Sequence, residues 1–321
     1  MQYCNIYRES QTLAMKPRVA FITRQHFLKT KSDLFLIEIL KEHAFVEVFR
    51  RIPEGDILEV KAVNAFKPDL VIYFAQAPSL SRHFFKIKSR RNWFIPMYDG
   101  FGQTYLAKSR FKRSILKYGG LRFICFCQKI AKQADQWGFP NLVATYFPSV
   151  DVSLNAVPQK TGPPYRIFLW QRCSEISPHS IMKVLGSDQV SEIIWKPDTQ
   201  FAGEVYDTQK VRRISGWLDE ADLKKLVSES DFYVAPRLQE GIGMSFLEAC
   251  ALGKPVIGWN DATMNEYIDH GKNGFLFSDF NTRIKLLPPS QIHDQIQISN
   301  SRFLKKWEES KTMIIKNVLE G

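Results

Sequence analysis

Residues 231–277 constrain the fold more than any other stretch, because every local preference in them points to one unit of strand, loop, helix and strand. The apolar run 232–235 ends at Pro236, which cannot donate to a ladder, so it reads as a buried parallel strand that stops there. Glu240-Gly241-Ile242-Gly243 follows as a loop. A helix is expected from about 244 to 252, with Gly253 as its cap and Pro255 just beyond, and residues 256–259 form the next strand. Glycines immediately before a helix let a ligand approach the backbone, and the free amides from Ile242 through Gly243 and Met244 to Ser245 make an anion site at the positive end of the helix dipole. Ala249, Cys250 and Ala251 are small enough to bring that helix close to the sheet.

Two carboxylates in a phosphate-binding unit need separate work. Glu248, on the second helical turn, can accept both hydroxyls of a vicinal diol such as ribose, while Glu240 in the loop lies beyond the phosphates, where a sugar would sit. Alone, the pair would as readily be a loop carboxylate and a solvent-facing helix carboxylate. The surrounding pattern decides otherwise. EGIGMSFLEACALGKPVI, followed by Glu266 and DHGKNGFLF, resembles the donor-binding motif of retaining glycosyltransferases of the GT-B fold, in particular family four, the glycosyl transferases group 1. The resemblance is specific over about residues 205–280 and only architectural before 165.

Composition sets the outer bounds. The 321 residues, 45% hydrophobic, are enough for two ordinary domains. An odd number of cysteines, five, without a secretory leader is expected of a reducing, cytoplasmic setting, with Cys125 and Cys127 on one face of a core strand. No apolar stretch approaches 18 residues, so no transmembrane helix is expected. The net charge of +11 favours an anionic partner. Nucleotide sugars and anionic lipid fit that charge better than nucleic acid, since no nucleic-acid-binding motif accompanies it.

Along the first half, short apolar strands near 18–23, 46–49, 70–75, 94–97 and 123–127 alternate with helix-length segments, the pattern of a parallel, doubly wound sheet. The segment TRQHFLKTKSD after the first strand has no glycine, whereas relatives of the resembled family often carry a glycine-rich loop there; its role stays open. Asp99, in IPMYDG, is expected to end the fourth strand at the ligand-binding edge of the sheet, or equally to form a simple turn. Residues 104–119 place Ala107, Phe111, Ile115 and Tyr118 on one helical side and Arg110, Arg113 and Lys117 on another. The plainer reading has that helix covering the sheet; the other has it docking on the anionic inner membrane surface, at about 1 kcal/mol per basic residue.

A boundary is expected near residue 150, dividing an acceptor-side Rossmann-like domain (1–149, with 1–14 as a tail) from a donor domain (150–300). The helix at 301–321 would return towards the first domain, as the resemblance implies. In the resembled family the strand at 165–170 ends in Gly-Arg with a Lys five residues on, the two cations neutralising the diphosphate. Arg172 matches the Arg, but Ser177 stands where the Lys is expected. Lys196 and Arg237 are the candidate replacements, and Gly216-Trp217 matches the turn usually adjacent to the nucleobase.

The resemblance thus implies a GT-B, α/β protein with two Rossmann-like domains facing across a cleft. It would transfer a hexose from a UDP- or GDP-sugar to a hydroxyl of a glycan or lipid-linked acceptor, with retention, in bacterial surface polysaccharide or lipopolysaccharide synthesis. Glu240 and Asp99 would be catalytic; Arg172, Gly241, Ile242, Gly243, Met244, Ser245 and Glu248 would hold the donor. No Asp-x-Asp occurs, which is expected of metal-independent transfer with no further cofactor. The alternatives are a non-catalytic sugar-nucleotide-binding or scaffold protein of the same fold, motivated by Ser177 and the glycine-free first loop, and a GT-B epimerase.

Overall fold

The computed structural model describes residues 16–51, 60–75, 86–101, 120–150, 160–206 and 209–321. The expected tail 1–14, the basic helix carrying Arg110, Arg113 and Lys117, and residues 151–159 just past the expected boundary lie outside the described residues. Among the described residues, no helix is long and apolar enough to cross a membrane.

Among the described residues the strands form two six-stranded sheets, with neighbouring strands paired in parallel. The first holds β1 (Arg18–Arg24), β2 (Phe45–Arg51), β3 (Leu70–Phe74), β4 (Arg91–Ile95), β5 (Leu121–Cys125) and β6 (Asn141–Val143), in the order β2-β1-β3-β4-β5-β6. The second holds β7 (Tyr165–Gln171), β8 (Val190–Pro197), β9 (Val211–Arg213), β10 (Phe232–Val234), β11 (Val256–Trp259) and β12 (Gly274–Phe277), in the order β12-β11-β10-β7-β8-β9. The inner strands are largely continuous runs of apolar and β-branched or aromatic residues, as helices on both faces require, while the edge strands β2 and β9 carry charged residues. β3 is buried throughout, and Val19, Ala20, Phe21 and Ile22 of β1 are at most 1% exposed. The architecture is the expected α/β, GT-B one.

Two sequence-based expectations shift locally. β4 stops at Ile95, because Pro96 breaks the ladder, so Asp99 does not end the strand but lies in the one-turn helix α4 (Tyr98–Phe101), after α1 (Phe27–Thr30), α2 (Leu34–His43) and α3 (Val60–Phe66). β5 likewise stops at Cys125, and Cys127 precedes α5 (Gln128–Gln136); both thiols still enter one buried cluster. Burial pushes the Cys127 thiol up to about 12, so it is a packing residue rather than a nucleophile.

Strand order places the ligand edge. In each sheet the order reverses once: between β1 and β3 in the first, between β7 and β10 in the second. Crevices form at the carboxyl ends of strands where the order reverses. The segments leaving β1, β7 and β10 are therefore the ones positioned to line a cleft.

The chain finishes in a long helix, α10 (Pro289–Ile314), after α6 (Pro178–Leu185), α7 (Glu220–Glu229), α8 (Met244–Ala251) and α9 (Met264–Tyr267). It crosses to the first half. Trp307 packs against Phe35 and Tyr146, Phe303 stacks on Phe147, and the Ser310 hydroxyl accepts the amide of Thr145 at 2.9 Å. Beyond it, Arg91 on β4 donates to the carbonyls of Val318 and Leu319 at 3.2 and 3.1 Å.

Candidate functional site

The loop after β10 is built to stay open to a ligand. Gly243 precedes α8 with φ +79°, and a Cβ there would come within 2.0 Å of the Phe246 ring, so only glycine fits. The chain turns into α8 without a side-chain cap, which leaves its first amides to the positive end of the helix dipole. The loop is held from behind: the buried Thr263 hydroxyl is shared between the carbonyls of Glu240 and Gly241, at 2.9 and 3.0 Å. On the other side, a Cβ on Gly241 would meet Met97 Sδ at 2.8 Å and Asp99 Oδ1 at 3.1 Å. Gly241 thus packs directly against Met97 and Asp99 of the first half, with no room for a side chain.

Glu240 lies in that contact with its side chain 6% exposed, and its Oε1 has no hydrogen-bond partner. Arg237 Nη1 lies 3.7 Å from Glu240 Oε2 and donates to Asp99 Oδ2 at 2.9 Å, so one guanidinium joins a carboxylate from each half. Burial lifts the Glu240 carboxyl to about 7; Arg237 and Arg172 pull it down and Asp99 pushes it up, yet burial wins over the ion pair. An unpartnered, buried oxygen beside a glycine loop is costly unless something fills the space.

Arg172 follows β7, the strand adjacent to β10. Its guanidinium lies 5.0 Å over the Trp170 ring and its Nε is buried without a partner. Its charge is felt by Glu240, Tyr233 and His26. The position expected to hold a second cation is filled by a helix cap: Ser177 accepts the Ser180 amide at 3.2 Å and Ser180 returns the bond, closing a capping box at the start of α6. Beside it, Gln171 accepts from buried Trp195 at 2.8 Å and donates to Glu204.

The candidate replacements are otherwise engaged. Arg237 is ion-paired as described. Lys196, at the end of β8, donates to the Pro197 carbonyl at 3.1 Å, and its pKa is lowered by burial and then by Arg213 against the pull of Asp198. Glu248 is half-buried on α8, with its carboxyl lifted to about 7 by burial and then by Glu220 on α7. Gly216, at φ +80°, starts the turn into α7, and Trp217 beside it is 64% exposed. Glu240, Asp99, Arg237 and the 241–245 loop are thus brought together; Arg172 acts on them through its field, and Lys196 stands apart, bonded to its own strand end. Sequence reasoning missed Thr263, which reaches the loop across 23 residues, and the first loop's Lys29, whose Nζ sits 3.7 Å over the Trp217 ring. Glu266, part of the resembled motif, accepts the Gln128 amide with both oxygens, at 2.9 and 3.2 Å, capping α5 of the first half.

Residues 204–284 match the family model "Glycosyl transferases group 1". Two curated proteins align at 34% identity over about a quarter of this chain: an uncharacterized 41.2 kDa protein in the cps region of Klebsiella pneumoniae, and the GtfA subunit of a UDP-N-acetylglucosamine–peptide N-acetylglucosaminyltransferase of Streptococcus gordonii. The aligned part spans 22% and 14% of their respective lengths. Solved structures similar over nearly the whole chain include sucrose-phosphate synthase of Thermosynechococcus elongatus (12% identical, TM-score 0.67, covering 93% of this chain and 97% of that one). The lipopolysaccharide outer core galactosyltransferase WaaB is also similar (14%, 0.66, 92% and 98%), as is HepE of Anabaena in complex with UDP and glucose (17%, 0.52, 94% and 95%). The chain has the GT-B fold these share, and its residues 204–284 carry the glycosyl transferases group 1 segment at the carboxyl edge of the second sheet.

Proposed function

We propose that this protein is a hexosyltransferase that moves a sugar from a nucleoside diphosphate sugar to a hydroxyl of a glycan or lipid-linked acceptor, with retention and without a metal. The single observation that carries the reading is Glu240: a buried carboxylate with one oxygen unpartnered, beside the glycine loop that opens α8. The donor diphosphate would lie between the α8 amides and Arg172, the ribose at Glu248, and the base at Gly216-Trp217. Glu240 would then hold the sugar. UDP and UDP-glucose, the ligands of the similar HepE structures, are the first donors to test. Synthesis of a surface polysaccharide or lipopolysaccharide is the setting that the cps-region protein and WaaB suggest.

In the reaction the C1–O bond to the diphosphate breaks and a C1–O bond to the acceptor forms on the same face. The acceptor proton passes to the leaving phosphate oxygen. Negative charge grows on the diphosphate as its bond breaks, and the fixed amide dipoles and Arg172 stabilise it there without reorganising. Asp99, held by Arg237 next to Gly241, would face the reacting carbon from the acceptor side, and closure of the cleft would exclude water. The test is transfer from UDP-glucose and a panel of GDP- and ADP-sugars, with and without EDTA. Glu240→Gln should cut kcat by at least about a hundredfold, the scale of one preorganised electrostatic contact, with donor binding retained. Undiminished transfer would remove the catalytic assignment.

A second reading rests on Ser177: with a cap where a cation is expected, the chain could bind a sugar nucleotide without turning it over. Donor binding by the wild type with no transfer to any acceptor pool would favour it. We also propose peripheral contact with anionic lipid through Arg110, Arg113 and Lys117; co-sedimentation with phosphatidylglycerol vesicles that survives charge reversal at all three would rule it out.

A further inference from the structure

The glycine-free segment after β1 lies where the first sheet reverses its strand order, and it reaches the second half. It folds as a single helical turn, α1, closed by the Lys31 amide donating to the Phe27 carbonyl at 2.8 Å. The turn is fixed at both ends. Phe27 packs edge-on against Phe74 of β3, and buried Asp33 accepts from Thr23 at 2.9 Å and from Arg50 at 3.0 Å. Fixed in this way, its side chains point across the cleft: Lys29 covers Trp217, and Lys31 lies 3.9 Å from Glu220 at the start of α7. His26 and Lys29 are three positions apart and so share one face of the turn. One end of that face is in the field of Arg172 and the other lies on Trp217, the two points between which a donor's diphosphate and base would stretch.

We propose that Lys29 is a diphosphate-binding residue supplied from the first half of the chain, standing in for the cation that Ser177 does not provide. The turn 26–31 is the strap that closes the donor site. The proposal rests on the donor placement given under Proposed function. The ammonium lies over the Trp217 ring, where a cation is favourably held at little cost. A base arriving at Gly216-Trp217 competes for that ring, and the flexible Lys29 stem lets the charge move to the phosphates. His26, on the same face, has its pKa lowered by partial burial, then by Arg24 and Arg172, against the pull of Asp33.

Titration of the full chain with UDP and with uridine separates the possibilities. For Lys29→Gln we expect UDP affinity to fall about tenfold, one charge-assisted contact's worth, with uridine affinity unchanged. Lys29→Arg should restore most of the loss. Lys29 is exposed, so an unchanged melting temperature will show that the variant folds. Equal UDP affinity in wild type and Lys29→Gln overturns the strap's role and leaves the donor site standing. Equal losses for UDP and uridine also overturn it, by showing that Lys29 acts on Trp217 and the base alone. If the wild type binds neither UDP nor GDP nor ADP, the donor placement falls and takes this inference with it.

Discussion

At Gly243 the sequence had one option. A methyl group there would sit 2.0 Å from the Phe246 ring at a backbone angle of φ +79°, so Gly243→Ala should destabilise by about 1–3 kcal/mol, read from urea unfolding, and displace the first amides of α8. Glu240 carries the opposite tension, because it is harboured for what it binds rather than for stability. Its folded pKa of about 7 exceeds the ordinary carboxylate value, so between about pH 4.5 and 7 the folded state holds more protons than the unfolded chain. Stability is therefore complete below that window and lost as pH rises through it, and Glu248 adds a loss of the same sign. Glu240→Gln should match the wild type in melting temperature at pH 4.5 and exceed it at pH 8, while losing transfer. A variant that melts lower at pH 8 would show that Glu240 is paired in solution. These residues were legible in the sequence because glycine, carboxylate and helix start are neighbours along the chain. Arg237's pairing with Asp99 was not, since its partner is 138 residues away and no local pattern encodes it.

At the level of elements, the strand and helix alternation was readable nearly throughout, as the continuous apolar runs of β1, β3, β7 and β10 show. The ends of elements were less so. β4 stops earlier than its apolar run because Pro96 breaks the ladder, and β5 does so because Phe126 and Cys127 are buried by tertiary packing after leaving it. The start of α6 illustrates what a cap can displace. Ser177 closes a reciprocal capping box, so Ser177→Ala should cost about 1 kcal/mol of stability. Ser177→Lys should cost a similar amount while tightening UDP binding. A lysine variant with wild-type stability would mean that the box contributes little, and differential scanning calorimetry reads both. The glycine-free turn α1 was legible as an anomaly only; its direction depends on Phe27 finding Phe74 and on Asp33 finding Arg50.

In the whole molecule, the two halves meet through pairs far apart in sequence. Lys129 donates to Asp261 at 2.8 Å, Tyr267 to the Tyr146 carbonyl at 2.9 Å, and Gln128 to Glu266. Glu266→Ala removes the cap of α5 and should cost about 1 kcal/mol locally. Amide exchange at Gln128 and the residues after it should accelerate several-fold, with that of β10 unchanged; unaltered exchange at Gln128 would exclude the cap. The helix α10 binds the halves more tightly still, since its aromatic face completes the surface of a sheet that ended about 150 residues earlier. This has a bearing on how the protein is made. At about 5–20 residues per second, the ribosome finishes β6 on the order of ten seconds before Trp307 emerges. For that interval Phe35, Tyr146 and Phe147 lack the cover of Trp307 and Phe303, so the first half presents an apolar face of the kind chaperones bind while the second is still being translated.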